Sequence, residues 1–482
     1  MDKPVLILQM QRMGDLVLSY PLFGWLSSML PGTPIWVVGE RVFFEGLIEL
    51  SPHVTYFDYS AADRLKQNEY QLVINLSHRR DAAILAGQLK TGMRLGPYVP
   101  DNASPEGQAP LYIEGAWQLY RASINHNNRH NMFHWADLNA MELASLRQMR
   151  RTSWPPVKAI SKERPLSDKR VGLFVGASEA DKRPEPEFWA TVASRLMSLG
   201  TKPVFMGGKN DFQIAEQASA ILKAPFLNQC GKFSINELCM FMRNLDLLVT
   251  PDTGPMHIAA WIGLPTLNIS MGPVNAWETA PFAPNHYVLR SSISCVGCWT
   301  CDRPETRCKT RFSPEKTADI AKLILEGNEE KLPYLNLPGH QLFKTGRDQF
   351  GLFTMRQITS KENLRLERSL FWKLFFGIAL GKFSPETALP DLKQQAKTLR
   401  KGKMHDLLLR KAQIILLALN RAIKSSTPGI LAEESFWNGQ PPILRPLTSY
   451  MQLILQNSEF SRPALANALQ LIDFFMSILN EQ

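Results

Sequence analysis

The chain has 482 residues, more than one ordinary core needs, and this length predicts roughly two to three domains. It carries 54 Lys and Arg residues against 44 Asp and Glu residues, and the net charge of +10 favours anionic partners such as nucleotides or phosphorylated sugars. Six cysteines in so long a chain exclude a disulfide scaffold. No segment resembles a secretory signal or reaches the roughly 20 apolar residues of a spanning helix, so we expect a soluble, cytoplasmic protein.

Two series of short apolar runs alternate with helical patterns along the chain. The predicted strands are 5–8, 35–38 and 72–76 in the first series, and 171–175, 203–206, 247–249 and 266–269 in the second. A glycine-bearing turn and a helical pattern follow the first strand of each series, with the helices predicted at 16–29 and 187–199. This alternation indicates parallel sheets that helices cover on both faces.

Breaks in these patterns predict three domains. The stretch 151–165 is rich in proline and has little strand signal, as expected of a linker. After about residue 325 the alternation stops, and 350–482 has helical periodicity interrupted by prolines. The predicted domains are therefore an N-terminal Rossmann-like domain at 1–155, a second one at 165–328 and a helical extension at 335–482.

The strand predicted at 247–249 ends in the turn that carries the sharpest signal. It opens a helix rich in small residues with Asp252, Thr253, Gly254, Pro255, Met256 and His257. A helix N-terminus offers free N–H groups and a positive dipole end, both of which suit a diphosphate. Ligands of doubly wound sheets bind at this end of a strand. The alternative is an Asp N-cap on an ordinary helix.

Three other turns precede this one along the chain. They contain Arg12, Gly14 and Asp15; Gly176, Ser178 and Lys182; and Gly207, Gly208 and Asp211. The four turns and their order resemble the motifs of glycosyltransferase family 9, the heptosyltransferases. The resemblance spans residues 4 to 325 approximately. It implies an α/β fold with two Rossmann-like domains facing a cleft, the glycosyltransferase B fold, here with a C-terminal all-helical extension outside the resemblance.

Asp15 is the predicted general base. A sugar hydroxyl must lose its proton as it attacks the anomeric carbon, and a carboxylate at the end of the first strand can be aimed into the cleft. The alternative is that Asp15 only caps the following helix.

The resemblance implies a donor site on the second domain. Lys182 resembles the family's lysine that neutralises the departing nucleoside diphosphate, a charge that grows in the transition state. The family usually continues with an aromatic-proline step that this chain lacks, so Arg183 is the alternative carrier of the role. Asp211 is predicted to accept hydrogen bonds from ribose hydroxyls, or to cap a helix. The predicted donor-binding residues are Gly176, Ser178, Arg183, Gly207, Gly208, Asp211, Asp252, Thr253, Gly254, Pro255, Met256 and His257.

The acceptor is predicted to bind to the first domain. His78, Arg79 and Arg80 follow the strand at 72–76 and should project toward the cleft, where they could hold an acidic acceptor with Arg12 and Gly14. A basic surface turn is the alternative.

Four cysteines form a separate cluster. Cys295, Cys298, Cys301 and Cys308 have spacings that let thiolates converge on a structural zinc or iron ion. Some autotransporter heptosyltransferases hold iron with such cysteines. The alternative is four free thiols, and the resemblance implies that catalysis itself needs no metal or other cofactor.

The extension combines a basic interval at 393–411 with an apolar patch of Phe371, Trp372, Phe375 and Phe376. Docking to the inner membrane or to a partner is one interpretation, and a solvated helix face is the other.

The resemblance therefore implies an inverting glycosyltransferase that moves a sugar, heptose from ADP-heptose in the family, to a lipopolysaccharide-core, glycan, lipid-linked or protein acceptor. One alternative is a nucleotide-sugar 2-epimerase. The other is a non-catalytic scaffold that binds a membrane or partner through its basic extension. No nucleic acid is expected as a partner, because the chain has no recognisable motif for it.

Overall fold

We analysed a computed structural model of the chain. The structure describes residues 3–101, 110–124, 129–151, 165–222, 226–301, 303–309, 311–359 and 364–481. The predicted linker falls largely outside these ranges. Among the described helices, none combines the length and the apolar character needed to cross a bilayer.

The first half of the chain forms a six-stranded sheet with strand order β3-β2-β1-β5-β7-β8. Its strands, with the small pair β4 and β6, are β1 (Val5–Leu8), β2 (Ile35–Gly39), β3 (Thr55–Asp58), β4 (Glu69–Tyr70), β5 (Leu72–Asn75), β6 (Lys90–Thr91), β7 (Arg94–Tyr98) and β8 (Tyr112–Glu114). Its helices are α1 (Met13–Leu18), α2 (Tyr20–Met29), α3 (Arg41–Phe44), α4 (Ala62–Leu65), α5 (Arg80–Gln88), α6 (Ala116–Ser123), α7 (Trp135–Leu138) and α8 (Leu146–Arg150). The pairing is parallel except for β7 with β8. The three strands predicted here are confirmed.

The second half forms a seven-stranded sheet with strand order β10-β9-β11-β12-β13-β14-β15. The strands are β9 (Arg170–Phe174), β10 (Lys202–Met206), β11 (Leu247–Pro251), β12 (Thr266–Ser270), β13 (Tyr287–Ser291), β14 (His340–Arg347) and β15 (Phe353–Gln357). The helices are α9 (Pro186–Ser198), α10 (Phe212–Leu222), α11 (Ile235–Met242), α12 (Gly254–Trp261), α13 (Ala276–Thr279) and α14 (Pro314–Leu325). Strands β9 to β13 are parallel, so their carboxyl ends lie along one edge.

One difference from the sequence analysis is the β14–β15 hairpin, which lies in the segment assigned to the helical extension. It adds two antiparallel strands to the second sheet beyond β13. Its turn is tied to the extension, because Asp348 forms a buried ion pair with Lys373 at 2.7 Å.

A second difference is that the predicted helix at 16–29 is two helices, α1 and α2, with a break at Ser19. Pro21 has no N–H and cannot continue the helical hydrogen bonds of α1. The Ser19 hydroxyl donates to the Asp15 carbonyl oxygen at 2.9 Å and accepts from the Gln9 amide at 2.8 Å. The break thus fixes the backbone of Asp15 against the first strand.

The described part of the extension contains six helices. They are α15 (Leu364–Ala379), α16 (Pro385–Ala396), α17 (Gly402–Ser425), α18 (Glu434–Asn438), α19 (Arg445–Asn457) and α20 (Arg462–Asn480). Of these, α15 and α19 contact α6 of the first half. The side chain of Asn457 accepts from the Ile113 N–H at 2.7 Å and donates to its carbonyl oxygen at 3.0 Å. It therefore covers the free edge of strand β8.

The aromatic patch predicted as a docking surface is instead part of the core. Phe371, Trp372, Phe375 and Phe376 on α15 are all buried. The Phe376 ring lies 4.7 Å from that of Tyr120 on α6. Helical spacing alone could not distinguish an outward patch from one covered by another domain.

Candidate functional site

A cavity of about 260 Å³, here called the cleft, lies where the two sheets face each other. Its walls come from the segments that follow β1, β5, β9 and β11, together with Trp135 and Thr279 of α7 and α13 and with Trp299 after β13. The lining residues are Gln11, Arg12, Gly14, Asp15, Leu18, His78, Trp135, Ser178, Glu179, Lys182, Asp252, Thr253, Gly254, His257, Thr279 and Trp299. Residues of the 12–15, 178–182 and 252–257 motifs therefore share one site, whereas the predicted donor residues Gly176, Arg183, Gly207, Gly208, Asp211, Pro255 and Met256 are absent from its lining.

Asp15 lies in the first turn of α1, and its carboxylate accepts a hydrogen bond from the backbone of Arg12. Burial raises the pKa of Asp15 above its ordinary value, the charges of Arg121 and Arg12 lower it, and the charge of Asp252 raises it. Arg121 is itself buried, which lowers its pKa to about 10. A raised carboxylate pKa suits a general base, because it makes the carboxylate a better proton acceptor. Capping and base chemistry are thus compatible here.

Two glycines let the two halves approach each other beside Asp15. A Cβ atom on Gly14 would lie 2.9 Å from Cδ2 of His257 and 3.4 Å from Cα of Gly254. A Cβ atom on Gly254 would lie 2.6 Å from the terminal methyl of Met13. The first turns of α1 and α12 are therefore in close contact, and a larger residue in place of Gly14 or Gly254 would push the two helices apart.

The turn before α12 places the Asp252 carboxylate and the His257 ring next to these glycines. The Asp252 carboxylate accepts from the Thr279 hydroxyl at 2.7 Å and lies 4.0 Å from Nε2 of His257. Burial lowers the pKa of His257 to about 4, so its ring is neutral at pH 7. Its Nδ1 atom is buried with no hydrogen-bond partner among the described residues. Pro255 and Met256 are buried in the helix behind the turn.

Lys182 faces the cleft beside a carboxylate that the sequence analysis did not single out. Glu179 lies 3.4 Å from the Lys182 ammonium and 3.5 Å from the Arg12 guanidinium, which also donates to the Ser178 hydroxyl at 2.9 Å. Gly272, with φ of 80°, allows this segment to pack closely, since a Cβ atom there would lie 2.8 Å from the Asp181 carbonyl oxygen. Two cations from opposite halves thus converge on one side of the cleft.

Asp211 occupies a space that two glycines create. A Cβ atom on Gly176 would lie 1.9 Å from the Asp211 carboxylate, and one on Gly207 would lie 2.7 Å from its Cβ. The carboxylate accepts from the Gly208 N–H at 2.8 Å, and Arg183 is 4.0 Å away. Burial raises the pKa of Asp211. These five predicted donor residues therefore form one cluster at the ends of β9 and β10.

Two stacked tryptophans form a wall of the cleft. The rings of Trp135 and Trp299 are 5.2 Å apart and nearly parallel. Glu278 accepts from the Trp299 indole N–H at 2.6 Å and, on its other oxygen, from Asn131 at 2.9 Å. Burial raises the pKa of Glu278 to about 7. Aromatic faces of this kind suit the apolar face of a sugar.

The predicted acceptor residues separate in the structure. His78 lines the cleft and a second, more apolar cavity of about 260 Å³ that Arg121 also lines. Arg79 forms ion pairs with Glu40 and Asp81 and is absent from the cleft lining, as is Arg80 in the first turn of α5. The ion pair with Asp81, two residues further along the chain, holds Arg79 away from the cleft. The sequence of the turn did not predict this pairing.

The four clustered cysteines are described as free thiols, with Cys298 and Cys308 buried and Cys295 and Cys301 partly exposed. The Cys308 thiol donates to the Gly272 carbonyl oxygen at 3.2 Å. Within the described ranges, no group of three or more His, Cys, Asp or Glu side chains is arranged to hold a metal ion. The structure therefore does not support the predicted zinc or iron site.

The fold and the cleft define a glycosyltransferase B architecture with an added helical region. The sequence model of glycosyltransferase family 9 (heptosyltransferase) matches residues 59–308, more than half of the chain. The protein belongs to this family.

Individual relatives agree with this assignment. Lipooligosaccharide heptosyltransferase 2 of Campylobacter jejuni is 30% identical over 167 residues, which is 33% of this chain and 52% of that protein. The lipopolysaccharide core heptosyltransferase OpsX of Haemophilus influenzae is 23% identical over 293 residues, 58% of this chain and 82% of that protein. The chain thus spans about half the length of the Campylobacter relative.

A solved structure supports the fold. The family 9 glycosyl transferase of Veillonella parvula matches with a TM-score of 0.52 at 20% identity, over 67% of this chain and 98% of that one.

Proposed function

We propose that the protein is an inverting glycosyltransferase that moves a sugar from a nucleotide diphosphate donor to an acceptor hydroxyl. The observation that carries this proposal is the juxtaposition of Asp15 with the 252–257 turn across the close contact of Gly14 and Gly254. The Asp15 carboxylate on one half, which can accept a proton, thereby faces the N-terminus of α12 on the other half, which can bind a diphosphate.

In the proposed reaction the acceptor oxygen forms a bond to the anomeric carbon while its proton passes to the Asp15 carboxylate. The bond from the anomeric carbon to the diphosphate oxygen breaks, and a nucleoside diphosphate leaves. Lys182 and Arg12 neutralise the negative charge that develops on this leaving group, with Arg183 as a further cation. One displacement inverts the configuration at the anomeric carbon. Neither a covalent intermediate nor a metal ion takes part in this scheme.

The proposal assigns donor binding to residues 165–328 and acceptor binding to residues 1–155. Asp211 would accept from the ribose hydroxyls, and the neutral His257 would donate to a phosphate oxygen. His78 and the tryptophan pair would contact the acceptor or the transferred sugar. The donor sugar we propose is a heptose on ADP, because the relatives are heptosyltransferases of lipooligosaccharide and lipopolysaccharide. We propose a lipopolysaccharide-core hydroxyl as the acceptor.

The test is a transfer assay of the full chain with ADP-heptose and, separately, with UDP-GlcNAc, using purified lipopolysaccharide cores that lack heptose as acceptor. We expect ADP release that depends on the acceptor and a product with one added heptose by mass spectrometry. Turnover of UDP-GlcNAc without acceptor would favour the 2-epimerase instead. Failure of all nucleotide sugars to bind would favour the scaffold. Neither alternative is favoured by the family match.

We also propose that α17 contacts an anionic membrane surface. Its outer face exposes Ile414 and Leu417, at 48% and 56% of their surface, between the exposed Arg410 and Arg421. Apolar side chains flanked by cations suit insertion into anionic headgroups. Leu417→Glu should reduce co-sedimentation with phosphatidylglycerol vesicles, whereas Ile221→Glu, an exposed apolar position on α10, should not. Equal binding of both variants would contradict this part of the proposal.

A further inference from the structure

A third cavity, of about 300 Å³, lies on the other side of α13 from the cleft. Thr279 of α13 lines the cleft, whereas Trp277 of the same helix lines this third cavity. We call it the arginine cavity, because Arg129, Arg290 and Arg365 line it from three different segments of the chain. No family motif identified in the sequence falls on these residues.

Arg290, at the end of β13, is a buried charge. Only 5% of its surface is exposed, and burial together with the nearby charge of Arg365 lowers its pKa to about 9. Among the described residues, no carboxylate lies within ion-pair distance of Arg290 or Arg129. Burying a guanidinium without an anionic partner costs several kcal/mol. An uncompensated cation of this kind is stabilised when an anion occupies the cavity.

The neighbouring arginine is held in a fixed position. Arg365, near the start of α15, donates to the carbonyl oxygens of Arg129 at 2.8 Å, Ser294 at 3.1 Å and Val296 at 2.5 Å. These bonds tie together the first half, the segment after β13 and the extension. A guanidinium held in this way loses little rotamer entropy when it binds an anion, which favours affinity.

The rest of the lining combines polar side chains with apolar ones, the latter from Trp277, Ile293, Val296, Leu364 and Leu366. The pKa of His130 is lowered to about 3 by burial and by the charges of Arg365, Arg368 and Arg129, so its ring adds no charge of its own. Ser292, Ser294 and Gln341 line the same cavity and can donate to oxygen atoms. Several arginines with hydroxyl and amide donors are the chemistry that proteins use for phosphate.

We propose that the arginine cavity binds a phosphate group, either as inorganic phosphate or as the phosphate monoester of a sugar. The site is separate from the cleft, and it uses residues that the proposed transfer reaction does not. Its volume of about 300 Å³ leaves space for a monosaccharide beside the phosphate.

The test is calorimetry on the full chain with ADP present in excess, titrated with inorganic phosphate and separately with glucose 1-phosphate. We expect saturable binding at one site and a loss of about 10- to 100-fold in affinity in Arg290→Gln, since charged hydrogen bonds disappear. Arg147→Gln removes an exposed arginine from α8 and should leave the affinity unchanged. Binding of inorganic phosphate alone would identify the free anion as the ligand, and tighter binding of glucose 1-phosphate would identify the ester.

Three results would overturn the proposal: absence of binding to the wild type, equal affinity in Arg290→Gln, or binding that Lys182→Gln abolishes, which would locate the anion in the cleft. If Arg290→Gln does not fold, Arg129→Gln at a partly exposed position is the second variant. Thermal unfolding gives an independent readout. Phosphate should raise the Tm of the wild type but not that of Arg290→Gln, which in phosphate-free buffer should be at least as stable as the wild type.

Discussion

The two α/β halves of the protein contribute different chemistry to the cleft. The first half supplies Asp15, whose pKa is raised by burial. The second half supplies backbone turns, together with Lys182, whose ammonium lies beside the partly exposed Glu179. Asp15 and Lys182 are both partly exposed at the wall of the same cleft, so the proposed division of roles follows the charge that each turn supplies, a carboxylate for the proton and an ammonium for the leaving diphosphate. The comparison teaches that the same strand-turn-helix unit can serve either task, depending on the side chain that its turn carries.

The largest expected effect is the loss of the Asp15 carboxylate. Asp15→Asn should reduce transfer by a factor on the order of 10²–10⁴, because no base then removes the proton from the attacking hydroxyl of the acceptor sugar. ADP affinity, measured by calorimetry, should stay near that of the wild type, since the proposed donor site lies on the second half. Full turnover in this variant would mean that the two halves do not divide the chemistry in this way.

A smaller effect is expected where the halves touch. Gly254→Val should weaken ADP binding by about 10- to 100-fold, because its side chain would collide with Met13 and separate α1 from α12. Met13→Ala in the same chain should restore part of the affinity by making room. Gly24→Ala, where no atom lies within 4 Å of the added Cβ, is the matched control. If Met13→Ala gives no rescue, the valine acts on the diphosphate directly and not on the contact between the halves.

The smallest effect concerns the pH dependence of the Asp15 carboxylate. Asp15 must be ionised to accept a proton, so kcat/KM should fall on acidification through its raised pKa. The Arg121 charge lowers this pKa, and Arg121→Gln should therefore move the acid limb of kcat/KM to higher pH. The profile of each enzyme between pH 4 and 9 provides the measurement. A limb that stays in place or moves to lower pH would show that another group controls it.

The sequence was sufficient to group the residues that follow the parallel strands. Asp15, Lys182 and His257 line one cleft because the carboxyl ends of parallel strands lie along one edge of each sheet. Their catalytic and binding roles remain predictions. The stacking of Trp135 on Trp299 was not predictable, because it joins segments that only the folded chain brings together. The same reason explains why Glu179 and Gly272 were missed.

Other errors came from patterns that more than one structure satisfies. Strand β14 lies between β13 and β15, and its buried positions do not alternate regularly. The alternation that reveals a half-buried strand is therefore absent. The patch on α15 has the spacing of an outward face, yet Phe474 and Phe475 of α20 and Tyr120 of the first half cover it. The spacing of Cys295, Cys298, Cys301 and Cys308 permits convergence on a metal but does not determine the loop conformation that convergence requires.

The contact between Asn457 and strand β8 has a consequence for how the protein can be divided. A chain truncated after the second sheet would lose the amide that covers Ile113, together with the helices that bury Tyr120. Its first sheet would then present a bare hydrogen-bonding edge next to an uncovered apolar surface, which is a template for aggregation. Although the family match ends at residue 308, the extension supplies contacts that cover the first sheet, and we expect a chain truncated before it to aggregate.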